Sequence, residues 1–143
     1  MAKVTKSITI NVPVDTVFNY VVDPTNLVEV WPSLEEVKEV RPLPNGGTAF
    51  RFVYKMAGMR FEGSSETIQQ VPNQRTVGRS KGGIESTVTW TFQSQDTGTR
   101  VSFEAEYTVP VPLLGKLAEA FIVRANEHEA ETILANLKDR MED

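Results

Sequence analysis

Near its start the chain alternates: Val4, Lys6, Ile8, Ile10 and Val12 fall on one side, and Thr5, Ser7, Thr9 and Asn11 on the other. A period of two is that of a half-buried strand. The period then changes. Val14, Val17, Phe18, Val21 and Val22 recur at helical spacing, with Pro13 suited to a first turn and Asp15 complementing the N-terminal dipole. Asp23-Pro24 is expected to stop this helix. Asn26 followed by Glu29 resembles a capping box and predicts a second short helix, ended by Trp31-Pro32.

Strand patterns follow. Leu34 to Leu43 reads as a weak, charged strand exposed on one side, and Asn45-Gly46-Gly47 as a turn. Thr48–Met56 and Met59–Gln69 flank Ala57-Gly58, which predicts a tight hairpin. Arg75–Ser80, Ser86–Gln93 and Thr99–Val109 come next, separated by turns at Gly82-Gly83 and Asp96-Thr97-Gly98. Pro110 and Pro112 end the sheet. From Leu113 to about Met141 the pattern predicts a helix of about 29 residues, roughly 43 Å long, enough to cross the whole sheet. Val109 to Leu114 reads as a rigid connection into that helix, with a pocket rim as the alternative. Sequential hairpins joining these elements predict an α+β fold: a curved antiparallel sheet with helices on one face and two short helices after the first strand.

Hairpin turns fix which side chains share a face. With Ala57-Gly58 as the turn, Met56 pairs with Met59, Tyr54 with Phe61, Phe52 with Gly63 and Phe50 with Ser65. The opposite face carries Arg51, Lys55, Arg60, Glu62 and Ser64. A loop at Gln95–Gly98 likewise pairs Phe92 with Val101, Trp90 with Phe103, Val88 with Ala105 and Ser86 with Tyr107. The inner face is therefore aromatic at its ends and small in its middle, where Gly63, Ser65, Gly78, Ser80, Ser86 and Ala105 lie. Small residues beneath a long helix leave either a close contact or a void, and strong curvature opens a void. Apolar walls with a few hydroxyls suit a small-molecule pocket. The expected walls are Phe50, Phe52, Tyr54, Phe61, Trp90, Phe103 and Tyr107, with Ser65 and Ser80 on the floor and Phe121 and Ala125 as the lid.

The long helix shows two apolar stripes. Leu114, Leu117, Ala118, Phe121 and Ala125 form one, and Ala130, Ile133, Leu134, Leu137 and Met141 the other. Their offset implies different surroundings for the two halves, or a bend near Asn126. Asn126 and Glu129 lie near the path joining the stripes, where either would bring a polar group to the pocket.

Composition narrows the field. At 143 residues, 40% of them apolar, the chain fits one domain spanning 1–143 with a substantial core. A net charge of −4 does not favour nucleic acid or anionic membrane. The absence of cysteine removes disulfides, thiol nucleophiles and thiolate metal sites. The first strand is no signal peptide, and no run approaches a membrane span, so a cytoplasmic protein is expected. With one histidine, no metal and no cofactor is expected. His128 reads as a solvent-facing or half-buried helix residue, with a general base as the alternative. Glu66 opposite Arg79 reads as a surface pair, unless the register slips by one and turns Arg51 and Lys55 inward toward an anionic head group. Neither glycine pair has the context of a phosphate loop. Trp31 reads equally as a core plug or a pocket wall.

The chain resembles a known family. The matching segments are Ile8-Thr9-Ile10-Asn11-Val12-Pro13-Val14, Val17-Phe18, Asp23-Pro24 before Trp31-Pro32, and Glu66-Thr67-Ile68 with Val71-Pro72. Thr89-Trp90-Thr91-Phe92, Gly98-Thr99-Arg100-Val101 and the closing Leu134 with Leu137-Lys138 complete the match. Together they look like the polyketide cyclase/dehydrase branch of the START-like helix-grip superfamily (SRPBCC). The resemblance implies a seven-stranded sheet gripping the C-terminal helix around a hydrophobic cavity. Its motifs mark turns and core positions, not chemistry, and family members include cyclases, lipid and sterol carriers and hormone receptors. The leading expectation is a binding protein for a small lipid-like or aromatic ligand, monomeric or homodimeric. One alternative is a polyketide cyclase or dehydrase with Tyr54, Tyr107, Glu129 or His128 moving protons, although no catalytic constellation is legible. The other is an accessory subunit or interaction module, docking through the terminal helix or Leu34–Leu43.

Overall fold

The computed structural model describes residues 2–82, 84–109 and 116–143, and for 116–119 the backbone alone. The element order is β1 (Ala2–Ile10), α1 (Val14–Val21), α2 (Pro24–Val30), β2 (Leu34–Pro42) and β3 (Thr48–Met56). It continues with β4 (Met59–Val71), β5 (Arg75–Lys81), β6 (Ser86–Gln95), β7 (Gly98–Tyr107) and α3 (Lys116–Glu142). The strands form one antiparallel seven-stranded sheet in the order β1-β7-β6-β5-β4-β3-β2. This is the α+β antiparallel sheet expected from the pattern, in the helix-grip arrangement that the family resemblance implies. The expected residues Leu113 and Leu114, the prolines 110 and 112, Gly83, and the side chains of Leu117 and Ala118 lie outside the described residues.

The hairpin registers match the reading pair for pair. Met56 faces Met59, Tyr54 faces Phe61, Phe52 faces Gly63 and Phe50 faces Ser65. Ala57 and Gly58 hold φ of 51° and 81°, the left-handed pair of a two-residue hairpin turn whose twist matches the strands. In the β6–β7 hairpin Trp90 faces Phe103 and Val88 faces Ala105, and pairing runs on to Gln95 and Gly98, so that turn has only Asp96 and Thr97 at its tip. Register shifts at Leu34/Glu36, Lys38/Arg41 and Thr67/Gln69 bend β2 and β4. Arg51 and Lys55 are exposed on the outer face, where Arg51 pairs with Glu39 at 3.4 Å, so the slipped register is not adopted.

Two local readings change. Asp23-Pro24 begins α2 rather than merely ending α1: Asp23 is the N-cap, its carboxylate accepts from the Thr25 N–H at 3.0 Å, and Pro24 sits at the first helical position. A proline there loses no hydrogen bond, because that N–H has no partner within the helix. Asn26, expected to cap, instead donates its side-chain N–H to the Tyr20 carbonyl at 3.0 Å and ties α2 to α1.

The long helix reaches from β1 to the far side of the sheet, where Glu129 meets Tyr54 of β3. It packs mainly along β1, with further contacts to β7 and α2. Polar ties fix this seat. Lys6 pairs with Glu131 at 3.1 Å, Lys138 Nζ donates to the Thr9 carbonyl at 2.9 Å, and Asn136 donates to the Val30 carbonyl at 3.0 Å. Among the described residues its buried side is one stripe, Ile122, Ala130, Ile133, Leu134 and Leu137. Asn126 and Glu129, both half-buried, fill the gaps at i+4 and i+7 from Ile122. Phe121 and Ala125 are on the solvent side, Phe121 being 69% exposed. Two stripes stand out in the sequence because these apolar residues are conspicuous there, while the polar members of the buried stripe are not.

Candidate functional site

A cavity of about 160 Å³ lies between the concave face of the sheet and α3. β3 contributes Phe50, Phe52, Tyr54 and Met56. Ser65 and Thr67 come from β4, and Thr76, Gly78 and Ser80 from β5. Val88 and Trp90 of β6 continue the wall, with Phe103, Ala105 and Tyr107 of β7 beside them. The short helices close one side with Val21, Leu27 and Trp31, and α3 supplies Asn126, Glu129, Ala130 and Ile133.

Most of the expected wall is therefore present: Phe50, Phe52, Tyr54, Ser65, Ser80, Trp90, Phe103 and Tyr107 all border the cavity. Phe61, Phe121 and Ala125 do not. For Phe121 and Ala125 the reason is the orientation of α3. Phe61 is half-buried against the apolar cluster. Gly63, next to it on the same face, is not open space either. A Cβ there would lie 2.5 Å from the Lys81 carbonyl oxygen and 2.6 Å from that of Gly82. That close backbone approach fills the face between Phe61 and Ser65. At Gly78 the nearest atoms to such a Cβ are the Ser65 Oγ at 3.7 Å and the Glu66 carbonyl oxygen at 3.9 Å, so this position does face room.

Aromatic rings line the cavity in an edge-to-face run. Trp90 and Phe103 have centroids 4.9 Å apart, Phe103 and Trp31 5.5 Å, and Trp31 and Tyr54 6.2 Å. Trp31 is thus both wall and packing element. The run ends at a carboxylate. The Tyr54 hydroxyl donates to Glu129 Oε1 at 2.8 Å and the Trp31 indole N–H to the same oxygen at 3.0 Å, while the Ser33 hydroxyl donates to Oε2. The indole N–H also approaches the Tyr54 oxygen at 3.2 Å.

Each donor has a local cause. Trp31 is the C-cap of α2, which swings its ring toward the sheet. Ser33 follows in the connection to β2, where its carbonyl accepts the Lys55 N–H at 2.8 Å. Tyr54 points inward because it pairs with Phe61 on the concave face. Burial pushes the Tyr54 phenol well above its ordinary pKa, and the Glu129 charge adds to the shift. It therefore stays protonated and keeps donating. Among the described residues no cation pairs with Glu129. His128, the neighbouring residue, is exposed, and its carbonyl accepts the Thr132 hydroxyl at 3.1 Å. No cluster of three or more histidine, cysteine or acidic side chains suited to a metal occurs among the described residues. No described helix is long and apolar enough to cross a membrane.

A curved seven-stranded sheet, a long C-terminal helix and an apolar cavity between them define a START-like helix-grip protein. More specifically, the chain belongs to the family described as polyketide cyclase/dehydrase and lipid transport, whose profile matches residues 1–142. Among solved structures it is similar to TTHA0849 from Thermus thermophilus, with 22% identity, a TM-score of 0.84, and 97% of this chain and 96% of that one covered. A START superfamily protein from Mycobacterium smegmatis has 13% identity and a TM-score of 0.82, covering 99% and 98%. The Zhui aromatase/cyclase from Streptomyces sp. R1128 has 15% identity and a TM-score of 0.78, covering 98% and 93%. At these identities the likeness is one of fold. Among curated proteins none matches the chain.

Proposed function

We propose that the chain binds a small, flat, largely apolar molecule in the cavity over β3–β6. The observation that carries this reading is the cavity itself, about 160 Å³ and walled by aromatic side chains. A dry engineered cavity of about 150 Å³ takes up benzene, so this volume suits one ring with a short substituent. A sterol or an extended acyl chain would require the walls to move apart. The family description, which names both cyclase/dehydrase and lipid transport, supports a ligand of low polarity.

The test is native purification followed by mass spectrometry of released small molecules, with a melting-temperature screen of ring-sized apolar compounds. Near-stoichiometric recovery of one ligand class, or a concentration-dependent rise in melting temperature, supports binding. An empty protein that no such compound stabilises counts against it.

A second reading, an aromatase or cyclase-type enzyme, is favoured by one specific observation. The Glu129 carboxylate and the Tyr54 phenol meet at 2.8 Å on the cavity wall, an arrangement able to hold a proton beside a bound ketone. Turnover of a small poly-keto substrate that is lost in Glu129→Gln would favour this reading over simple carriage.

A further inference from the structure

Glu129 faces the cavity with capacity to spare. An ionised carboxylate offers about four acceptor sites, and it cannot donate. Trp31, Tyr54 and Ser33 fill three of them. All of these donors are neutral, so the negative charge is solvated by hydrogen bonds yet has no counter-charge among the described residues. One turn earlier on the same face, the half-buried Asn126 amide also borders the cavity. The aromatic run from Trp90 to Tyr54 leads directly to this corner.

Resting on the binding function proposed above, we infer that Glu129 is the polar anchor of the cavity and that it selects ring-sized ligands carrying a hydrogen-bond-donating head, a protonated amine above all. An ammonium supplies both the missing donor and the missing positive charge, next to ring faces that attract cations. A phenol or alcohol supplies the donor alone. A carboxylate supplies neither and meets like charge in a poorly hydrated site, which disfavours free fatty or aromatic acids. The protonated Tyr54 phenol supports this polarity, because it gives its proton to Glu129 and not to the ligand.

The experiment is a chemical-shift titration of the full chain at pH 7 and moderate salt with benzylamine, benzyl alcohol, toluene and benzoate, on the wild type and on Glu129→Gln. The expected order in the wild type is benzylamine, benzyl alcohol, toluene, benzoate, with benzylamine about tenfold or more tighter than benzoate, as hydrogen bonds to charged groups imply. The shifts are expected at Tyr54, Trp31, Val88 and Ala105, which separates cavity binding from general attraction to an acidic protein. In Glu129→Gln the amine loses about tenfold while toluene changes by less than about twofold. The wild-type order alone tests the inference should the variant fold poorly. Binding of all four compounds with no preference for the amine, or a preference that survives in Glu129→Gln, overturns the anchor while leaving the pocket intact. Failure of every compound, toluene included, overturns both the anchor and the pocket.

Discussion

Replacing Gly63 with alanine will destabilise the protein, while the same change at Gly78 will not. At Gly63 the new methyl would sit 2.5 Å from the Lys81 carbonyl oxygen, 2.6 Å from that of Gly82 and 2.9 Å from the Phe52 Cζ. The phenyl ring can turn aside. The carbonyls belong to backbone alongside β4, so strand and connection must separate by several tenths of an ångström. Overpacking of this kind costs about 1–3 kcal/mol, and backbone obstacles place this case near 3. For a domain of this size that is a fall of roughly 10 °C in melting temperature. At Gly78 the nearest atoms are 3.7 and 3.9 Å away, an ordinary van der Waals distance. Alanine there narrows the unfolded ensemble and gains about 0.4–1 kcal/mol, a rise of a few degrees at most. Gly78→Leu goes further, placing an apolar group in the cavity. It is expected to abolish binding of ring compounds and keep the melting temperature near that of the wild type. Thermal melts followed by circular dichroism, with a ligand titration on each variant, decide the matter. Equal destabilisation by Gly63→Ala and Gly78→Ala would refute the close approach at β4. A collapse of Gly78→Leu would show that the face beneath it is filled.

Phe121→Ser is expected to change stability by less than about 0.5 kcal/mol and to leave ligand affinity unchanged, because the ring is 69% exposed and borders no part of the cavity. A urea midpoint that drops with this variant would restore Phe121 as a lid. Tyr54 has a folded-state pKa above its unfolded value, so its contribution is complete below about pH 10 and is lost as pH rises beyond that. Stability of the wild type should therefore fall between about pH 10 and 12, at up to about 1.4 kcal/mol per pH unit for this group, and Tyr54→Phe should fall less steeply. Parallel curves would mean the phenol is not held by burial and Glu129. Glu142 behaves in the opposite sense. The Asn11 N–H at 2.8 Å and Lys138 Nζ at 2.6 Å hold its carboxyl below the ordinary range, so the contribution is present above that range and is lost as pH falls through the folded value. The Asn11 amide resonance should titrate with a midpoint below that of an exposed glutamate, and a midpoint at or above it would remove the pin between β1 and the end of α3.

The sheet is legible in the sequence because alternation and turn chemistry agree. Ala57-Gly58 leaves one register in which Phe50, Phe52 and Tyr54 share a face, and the structure adopts it. The same logic does not separate Gly63 from Gly78. Both are glycines on the concave face, and only the path of the backbone at Lys81 and Gly82 makes one crowded and the other open. The helix is harder for a different reason. Apolar periodicity locates a face by its apolar members, so it selects Phe121 and Ala125 as the lid, while Asn126 and Glu129, which lie on the path between the apolar stripes, do face the cavity. A buried stripe interrupted by polar residues is what a functional cavity produces, and the interruption is itself the usable signal. Trp31 fits pocket or core equally well from sequence, because its partners Glu129 and Tyr54 are 98 and 23 residues away. Asp23-Pro24 misleads because the same pair ends one helix and begins the next.

The arrangement also explains how a small protein carries an apolar cavity and a charge within it. Lost contacts around a void weaken a fold, and a carboxylate in apolar surroundings weakens it further. Here both burdens fall on one side of the molecule. The largest fully buried side chains, among them Ile10, Val17, Val30, Val101, Phe103 and Leu137, belong to β1, α1, α2, β7 and α3. That is the edge along which α3 is seated, where Lys6, Lys138 and Asn136 also tie it down. On β4, β5 and β6 the concave side holds Ser65, Gly78, Ser80 and Val88, which are half-buried and border the cavity. The rotation of α3 that turns Phe121 to solvent brings Asn126 and Glu129 to the cavity wall, where small residues of β4 and β5 leave room.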